Sequence, residues 1–304
     1  MSAAPPRYTI REHRIPTANA QPYIVTLGPD GNVWFCESGA DKIGRLSTRD
    51  YSFAEFPLLR PGSVPIGIIA GADGNLWFTQ SAGHRIGRIT PAGAITEFSL
   101  PTPRGGPNGI ACGPDGNVWF AEADAGQVGR ITPRGEITEF AAGITPGSRP
   151  LAPVAAGGFV WISEADGSAV ARVAMDGSVR EFPTPTRNSG PRAIVPGPDG
   201  RCWFVETTAN AIGRIDADGR IVEFSFPRPG ASLRGIDATP AGEFLVTENA
   251  TNLVARMSVA GKVLEEYAIP TSRAGARSIV VLSDGRAFFS EFDVGQIGEL
   301  VPAG

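Results

Sequence analysis

Histidine, cysteine and charge are scarce in this sequence, and each scarcity removes a class of function. Of 304 residues, two are histidine, three are cysteine and 19% are charged. Cys36, Cys112 and Cys202 lie far apart and show neither zinc spacing nor a disulfide framework, so they read as buried free thiols. A formal net charge of -4 argues against the broad basic surface that nucleic acid requires. There is no run of about 18 apolar residues to cross a bilayer. The opening Met1-Ser2-Ala3-Ala4-Pro5-Pro6 lacks the apolar core of a secretion signal. A cytoplasmic monomer with no nucleic-acid or membrane partner is therefore expected. No Gly-x-Ser-x-Gly elbow, phosphate loop or zinc motif appears.

What the chain does have is glycine, proline and repetition. With 39 Gly, 27 Pro and 42% hydrophobic residues, it suits a turn-rich all-β protein with a core to bury. The stretch Gly31-Asn32-Val33-Trp34-Phe35-Cys36-Glu37 returns six times, with Trp34, Trp77, Trp119, Trp161, Trp203, Leu245 and Phe288 at intervals of 42 or 43 residues. That period, filled with short apolar runs and glycine turns, is the mark of propeller blades. Seven copies predict a seven-bladed β-propeller of four-stranded blades, with residues 1–304 as a single domain.

Within the third copy, strands are expected at Pro107–Cys112, Val118–Glu122, Gln127–Ile131 and Glu136–Phe140. The glycine three residues before each anchor calls for a turn with positive φ. The last copy runs out before its fourth strand, while Tyr8-Thr9-Ile10-Arg11-Glu12-His13 aligns with Ala94–Phe98. The N-terminal segment is thus expected to complete the last blade and close the ring. His13 takes a structural place there, and His84 reads as a solvated loop residue.

Two sets of residues share one rim if the strands alternate in direction. Eleven residues before each anchor, or ten in the fourth copy, stand Tyr23, Ile66, Asn108, Leu151, Arg192, Arg234 and Arg277. Three residues after it stand Glu37, Gln80, Glu122, Glu164, Glu206, Glu248 and Glu291. The acidic set reads either as a ring for a metal or proton transfer, or as scaffold accepting backbone hydrogen bonds. Arg45, Arg88, Arg130, Arg172, Arg214 and Arg256 are expected to pair with glutamates such as Glu55, Glu97 and Glu139 across a hairpin. The first set varies from blade to blade and so carries more information. Arg192, Arg234 and Arg277 beside Glu206, Glu248 and Glu291 predict a mixed-charge pocket for an anionic or highly polar ligand. A salt-bridge network that only pins blades together is the other reading.

The units Gly-Pro-Asp-Gly-Asn-Val-Trp-Phe (28–35 and 113–120), Ile-Gly-Arg-Ile-Thr-Pro (86–91), Ile-Thr-Glu-Phe (95–98) and Leu-Pro-Thr-Pro (100–103) closely resemble the streptogramin B, or virginiamycin B, lyases. The resemblance implies a C–O lyase that opens a cyclic depsipeptide antibiotic at its ester by elimination. It also implies a magnesium ion that polarises the carbonyl and a histidine as general base. The family's histidine positions fall here on Arg234 and Arg277, an acidic position falls on Gly275, and Glu291 remains as a metal ligand. Arginine cannot accept a proton near neutral pH, and its charge repels magnesium. An elimination here would use Glu248 or Glu291 as base, with Arg234 and Arg277 stabilising the enolate. The alternative is a non-catalytic propeller that binds an anionic small molecule, glycan or peptide. In that reading Arg192 is joined by Tyr23, Asn108 and Glu206. A protein-interaction platform is a third use of the fold.

Overall fold

The repeat unit folds as an antiparallel meander, illustrated by the third blade: Pro107–Cys112, Val118–Glu122, Gln127–Ile131 and Ile137–Phe140. The structure, a computed structural model, describes residues 7–303, so the opening Met1–Pro6 lies outside the described residues. Seven such four-stranded sheets are formed, and the inner strands of successive blades pack side by side around a central channel. This is the seven-bladed β-propeller expected from the repeat. The second strand of five blades is fully buried, as in Val118–Glu122, and in the other two only the first residue, Phe159 or Glu243, is partly exposed, because the strand is sandwiched between neighbouring blades.

The ring is closed by the chain's own beginning. Tyr8–Arg14 pairs antiparallel with Gln296–Pro302, in register from Tyr8 opposite Pro302 to Arg14 opposite Gln296. It forms the outer strand of the blade that also holds Ala276–Val281 and Ala287–Glu291. His13 has the structural place expected of it, with Nε2 3.0 Å from Glu299 and its ring stacked on Tyr51.

The turn glycines preceding each anchor all adopt positive φ, from 74° at Gly31 to 87° at Gly285. In four blades the turn aspartate reaches under the sheet. Asp30, Asp73, Asp115 and Asp199 accept a hydrogen bond from Nε1–H of Trp34, Trp77, Trp119 and Trp203, at 2.9 to 3.1 Å. Burial of an indole is thereby combined with satisfaction of its one donor.

The repeated arginines are structural, but their partners differ from the expected glutamates. Arg130 lies opposite Thr138, and Glu139 lies opposite Gly129. Adjacent strand residues face opposite sides of a sheet, so Arg130 and Glu139 point apart. Arg130 instead covers the Trp119 and Phe140 rings and donates to the Met175 carbonyl of the next blade. Arg256 is the exception, lying 3.5 Å from Glu265 and 2.8 Å from Glu243.

Candidate functional site

One irregularity, present in every blade, shapes the rim. In the first blade Pro22 faces Glu37 and Val25 faces Phe35, so Tyr23 and Ile24 together oppose the single residue Cys36. The same register shift occurs in the other six inner strands. It falls on the variable positions Ile66, Asn108, Leu151, Arg192, Arg234 and Arg277. A bulge bends its strand and re-aims a side chain. Here it turns these side chains toward the mouth of the channel, where Tyr23, Asn108, Leu151, Arg192, Arg234 and Arg277 line one hollow of about 90 Å³.

The bulges are held by hydroxyls. Thr247 Oγ1 accepts from the Gly235 N–H at 2.8 Å and donates to the Arg277 carbonyl of the following blade at 2.9 Å. Ser290 does the same between the Ser278 N–H and the Tyr23 carbonyl. A Cβ at Gly235 would run into the Arg277 carbonyl, so glycine is required where the strands approach this closely.

At the mouth, the Arg277 guanidinium lies 3.6 Å from the centroid of Phe292 and 5.0 Å from that of Tyr23, whose ring meets Phe292 edge-on. Burial lowers the proton affinity of Arg192, with Arg149 and Arg277 adding repulsion while Tyr23 and Asp166 oppose it. Burial likewise lowers that of Arg234, and here Arg192 and Arg277 are its cationic neighbours. All three remain cations, and each has a buried Nε without a hydrogen-bond partner. Among the described residues, none of the three makes an ion pair. The pinning network is thus not formed.

The glutamates do not complete this pocket. Glu206, Glu248 and Glu291 are wholly shielded from solvent, and none lines the mouth. Each meets a second carboxyl from its blade's outer strand: Glu206 with Glu223, Glu248 with Glu266 and Glu291 with Glu12. The pairs Glu37–Glu55, Glu122–Glu139 and Glu164–Glu181 repeat the arrangement. They meet over a small residue: a Cβ at Gly44 would fall 2.7 Å from Glu37 Oε1 and inside the Phe35 ring. Burial, reinforced by the second carboxyl, pushes Glu37, Glu164, Glu206 and Glu291 up to about 8. Glu122 rises to about 7 from burial, with Gln127 opposing and Glu139 adding to it. Glu248 is raised by burial while Thr251 and Arg228 oppose it. The acidic ring is therefore scaffold, but not through backbone hydrogen bonds to its inner members. The outer partners make those bonds: Glu139, Glu181, Glu223 and Glu12 each accept a backbone N–H and a hydroxyl from one threonine.

These placements correct three sequence expectations. The pocket is cationic, not mixed in charge. Glu248 and Glu291, expected as bases beside the arginines, are buried, lie outside the hollow's lining and face Glu266 and Glu12 instead. Magnesium does not fit either: two positions that would face it are guanidinium groups, Gly275 has no side chain, and burial together with the Glu12 carboxyl pushes Glu291 up to about 8. No cluster of three possible metal-binding His, Cys, Asp or Glu is present among the described residues. His84 is half-buried and accepts the Gly106 N–H at 3.3 Å rather than pointing freely into solvent. Cys36 and Cys202 are buried, and Cys112 is half-exposed. Phe292 was not found from sequence, since its only signal is its place one residue beyond the repeated glutamate.

A seven-bladed propeller whose channel opens through a crown of unpaired arginines is the class defined by these features. The chain belongs to the Virginiamycin B lyase family, which matches residues 6–158 and 146–304. It is 31% identical to a streptogramin B lyase structure at TM-score 0.91, over 97% of this chain and 98% of that one. It is 33% identical to selenomethionine-substituted virginiamycin B lyase from Staphylococcus aureus, at TM-score 0.92, over 97% of this chain and 100% of that one. A catalytically inactive variant of that enzyme with quinupristin gives the same identity, TM-score and coverage. Kuenenia stuttgartiensis hydrazine synthase, 14% identical at TM-score 0.77 over 95% of this chain and 97% of that one, shares the fold alone. No curated protein sequence matches.

Proposed function

We propose that this member of the family binds an anionic small molecule at the channel mouth through Arg192, Arg234 and Arg277, without performing the elimination its relatives are named for. The observation that carries this reading is the set of three half-buried guanidinium groups with no carboxylate partner. Holding cations together out of water is costly unless an anion offsets them. A carboxylate or phosphate would accept forked hydrogen bonds from them. Tyr23 and Asn108 add a hydroxyl and an amide for orientation. Calorimetric titration with inorganic phosphate and with citrate tests this. Changing all three arginines to glutamine is expected to weaken binding at least tenfold and to flatten its dependence on salt. Equal affinity in the triple variant would overturn the proposal.

A second reading, ring opening of a cyclic depsipeptide ester, is favoured by family membership and by the relative seen with quinupristin. It lacks a proton acceptor among the residues lining the hollow, which offer guanidinium, phenol and amide groups, while Asp166 acts on Arg192 from outside that lining. Loss of a general base typically lowers rate by about 10²- to 10⁴-fold. Quinupristin incubated with the protein, with and without magnesium, is expected to stay cyclic. A linear product of unchanged mass and new retention time would establish the lyase reading instead.

A further inference from the structure

Directly behind the arginine crown the channel changes character. A bore of about 230 Å³ is lined by all seven inner strands, with Ile68, Ile110, Ile194 and Ile279 among its wall residues. Ile24, Ala152 and Ala193 line both the crown's hollow and this bore, so the two are contiguous. Alanine stands at two of these three throat positions, where bulkier residues would narrow the passage.

We propose that the ligand is an amphiphilic anion, its carboxylate or phosphate head held by the arginine crown and its aliphatic or aromatic tail inserted into the bore. This rests on the anion-binding reading above and extends it to a class of ligand. A simple inorganic anion would use the crown and leave an apolar cavity behind it, a space water fills poorly. At about 30 Å³ for each water-sized group, the bore takes a tail on the order of eight heavy atoms. Charge at one end and apolar wall at the other also fix the ligand's direction: head outward, tail along the propeller axis.

The test is calorimetric titration of the full chain with acetate, butanoate, hexanoate and octanoate, with octyl phosphate as the phosphate-headed arm. Affinity is expected to rise about three- to fourfold per added methylene, with a negative heat-capacity change, for at least one headgroup. Ala193→Leu, which narrows the throat, is expected to remove most of the gain from butanoate to octanoate. Ile24→Ser, which adds no volume, is expected to act in the same direction and guards against a misfolded throat variant. Affinity independent of tail length, yet lost on changing the arginines to glutamine, would overturn the bore assignment and leave the crown intact. No binding of any anion, or binding indifferent to the arginines, would overturn the crown as well.

Discussion

Burial raises the proton affinity of six glutamates in this propeller: Glu37, Glu122, Glu164, Glu206, Glu248 and Glu291. Six blades bury a carboxyl beside a second one, and the remaining blade places Gln80 at the same position, also fully buried. An amide is the neutral counterpart of a protonated carboxyl, so the chain itself shows what the site accepts. The sign of the pH dependence follows. A folded-state value raised from about 4.5 to about 8 contributes stability that is fully present below the lower value and is lost as pH rises to the upper one. Asp237, half-buried and raised to about 6 by desolvation, adds in the same direction at the acid end of that window. The melting temperature is therefore expected to fall between about pH 4.5 and pH 8. Glu164→Gln is expected to be near neutral at pH 4 and stabilising by at least about 1.4 kcal/mol, the equivalent of one pKa unit, at pH 9. Chemical denaturation at the two pH values reads both numbers, and equal effects at each would refute the protonated pair. At this scale the sequence was only partly legible. The arginines of the crown could be found because their position varied while its neighbours repeated. The glutamates were placed at the right height on the rim, but spacing along the chain cannot tell which way a side chain leaves a bulged hairpin.

The element that converts repeat into site is the bulged inner strand. Its hydroxyl clamp ties one blade's bulge to the carbonyl of the next blade's mouth residue, so the position of Arg277 is set by Thr247 rather than by its own blade alone. Thr247→Val keeps the shape and removes both hydrogen bonds. Leaving the buried Gly235 N–H unpaired is expected to cost about 1–3 kcal/mol. Phosphate binding is expected to weaken in the same variant, and Thr247→Ser to restore both properties. Urea unfolding and calorimetry measure the two effects, and restored stability without restored binding would separate the clamp from the crown. The turn aspartates offer a simpler test: Asp199→Ala strips Trp203 of its acceptor and is expected to destabilise by about 1–3 kcal/mol, read from urea denaturation. Strand positions were legible from the repeat almost to the residue, because a glycine turn and a large apolar anchor, tryptophan in five of seven, mark each hairpin. The bulges were not, since two residues facing one leave no mark in spacing.

For the whole molecule, ring closure was the most legible feature, because a strand missing at one end and spare at the other admits one economical solution. Removing residues 1–14 is expected to expose the edge of Gln296–Pro302 and to strip Glu291 and Glu299 of Glu12 and His13. Size-exclusion chromatography is expected to show association or aggregation, and a monomeric, equally stable product would refute the strand's closing role. The paired carboxyls have one more effect, on how the molecule moves in an electric field. Glu37, Glu164, Glu206 and Glu291, each pushed up to about 8, hold protons near neutral pH that the unfolded chain gives up, which moves the native charge from the formal -4 toward zero. The native chain is thus nearer electroneutral than its unfolded form, and isoelectric focusing is expected to place the folded band to the alkaline side of the band run in urea.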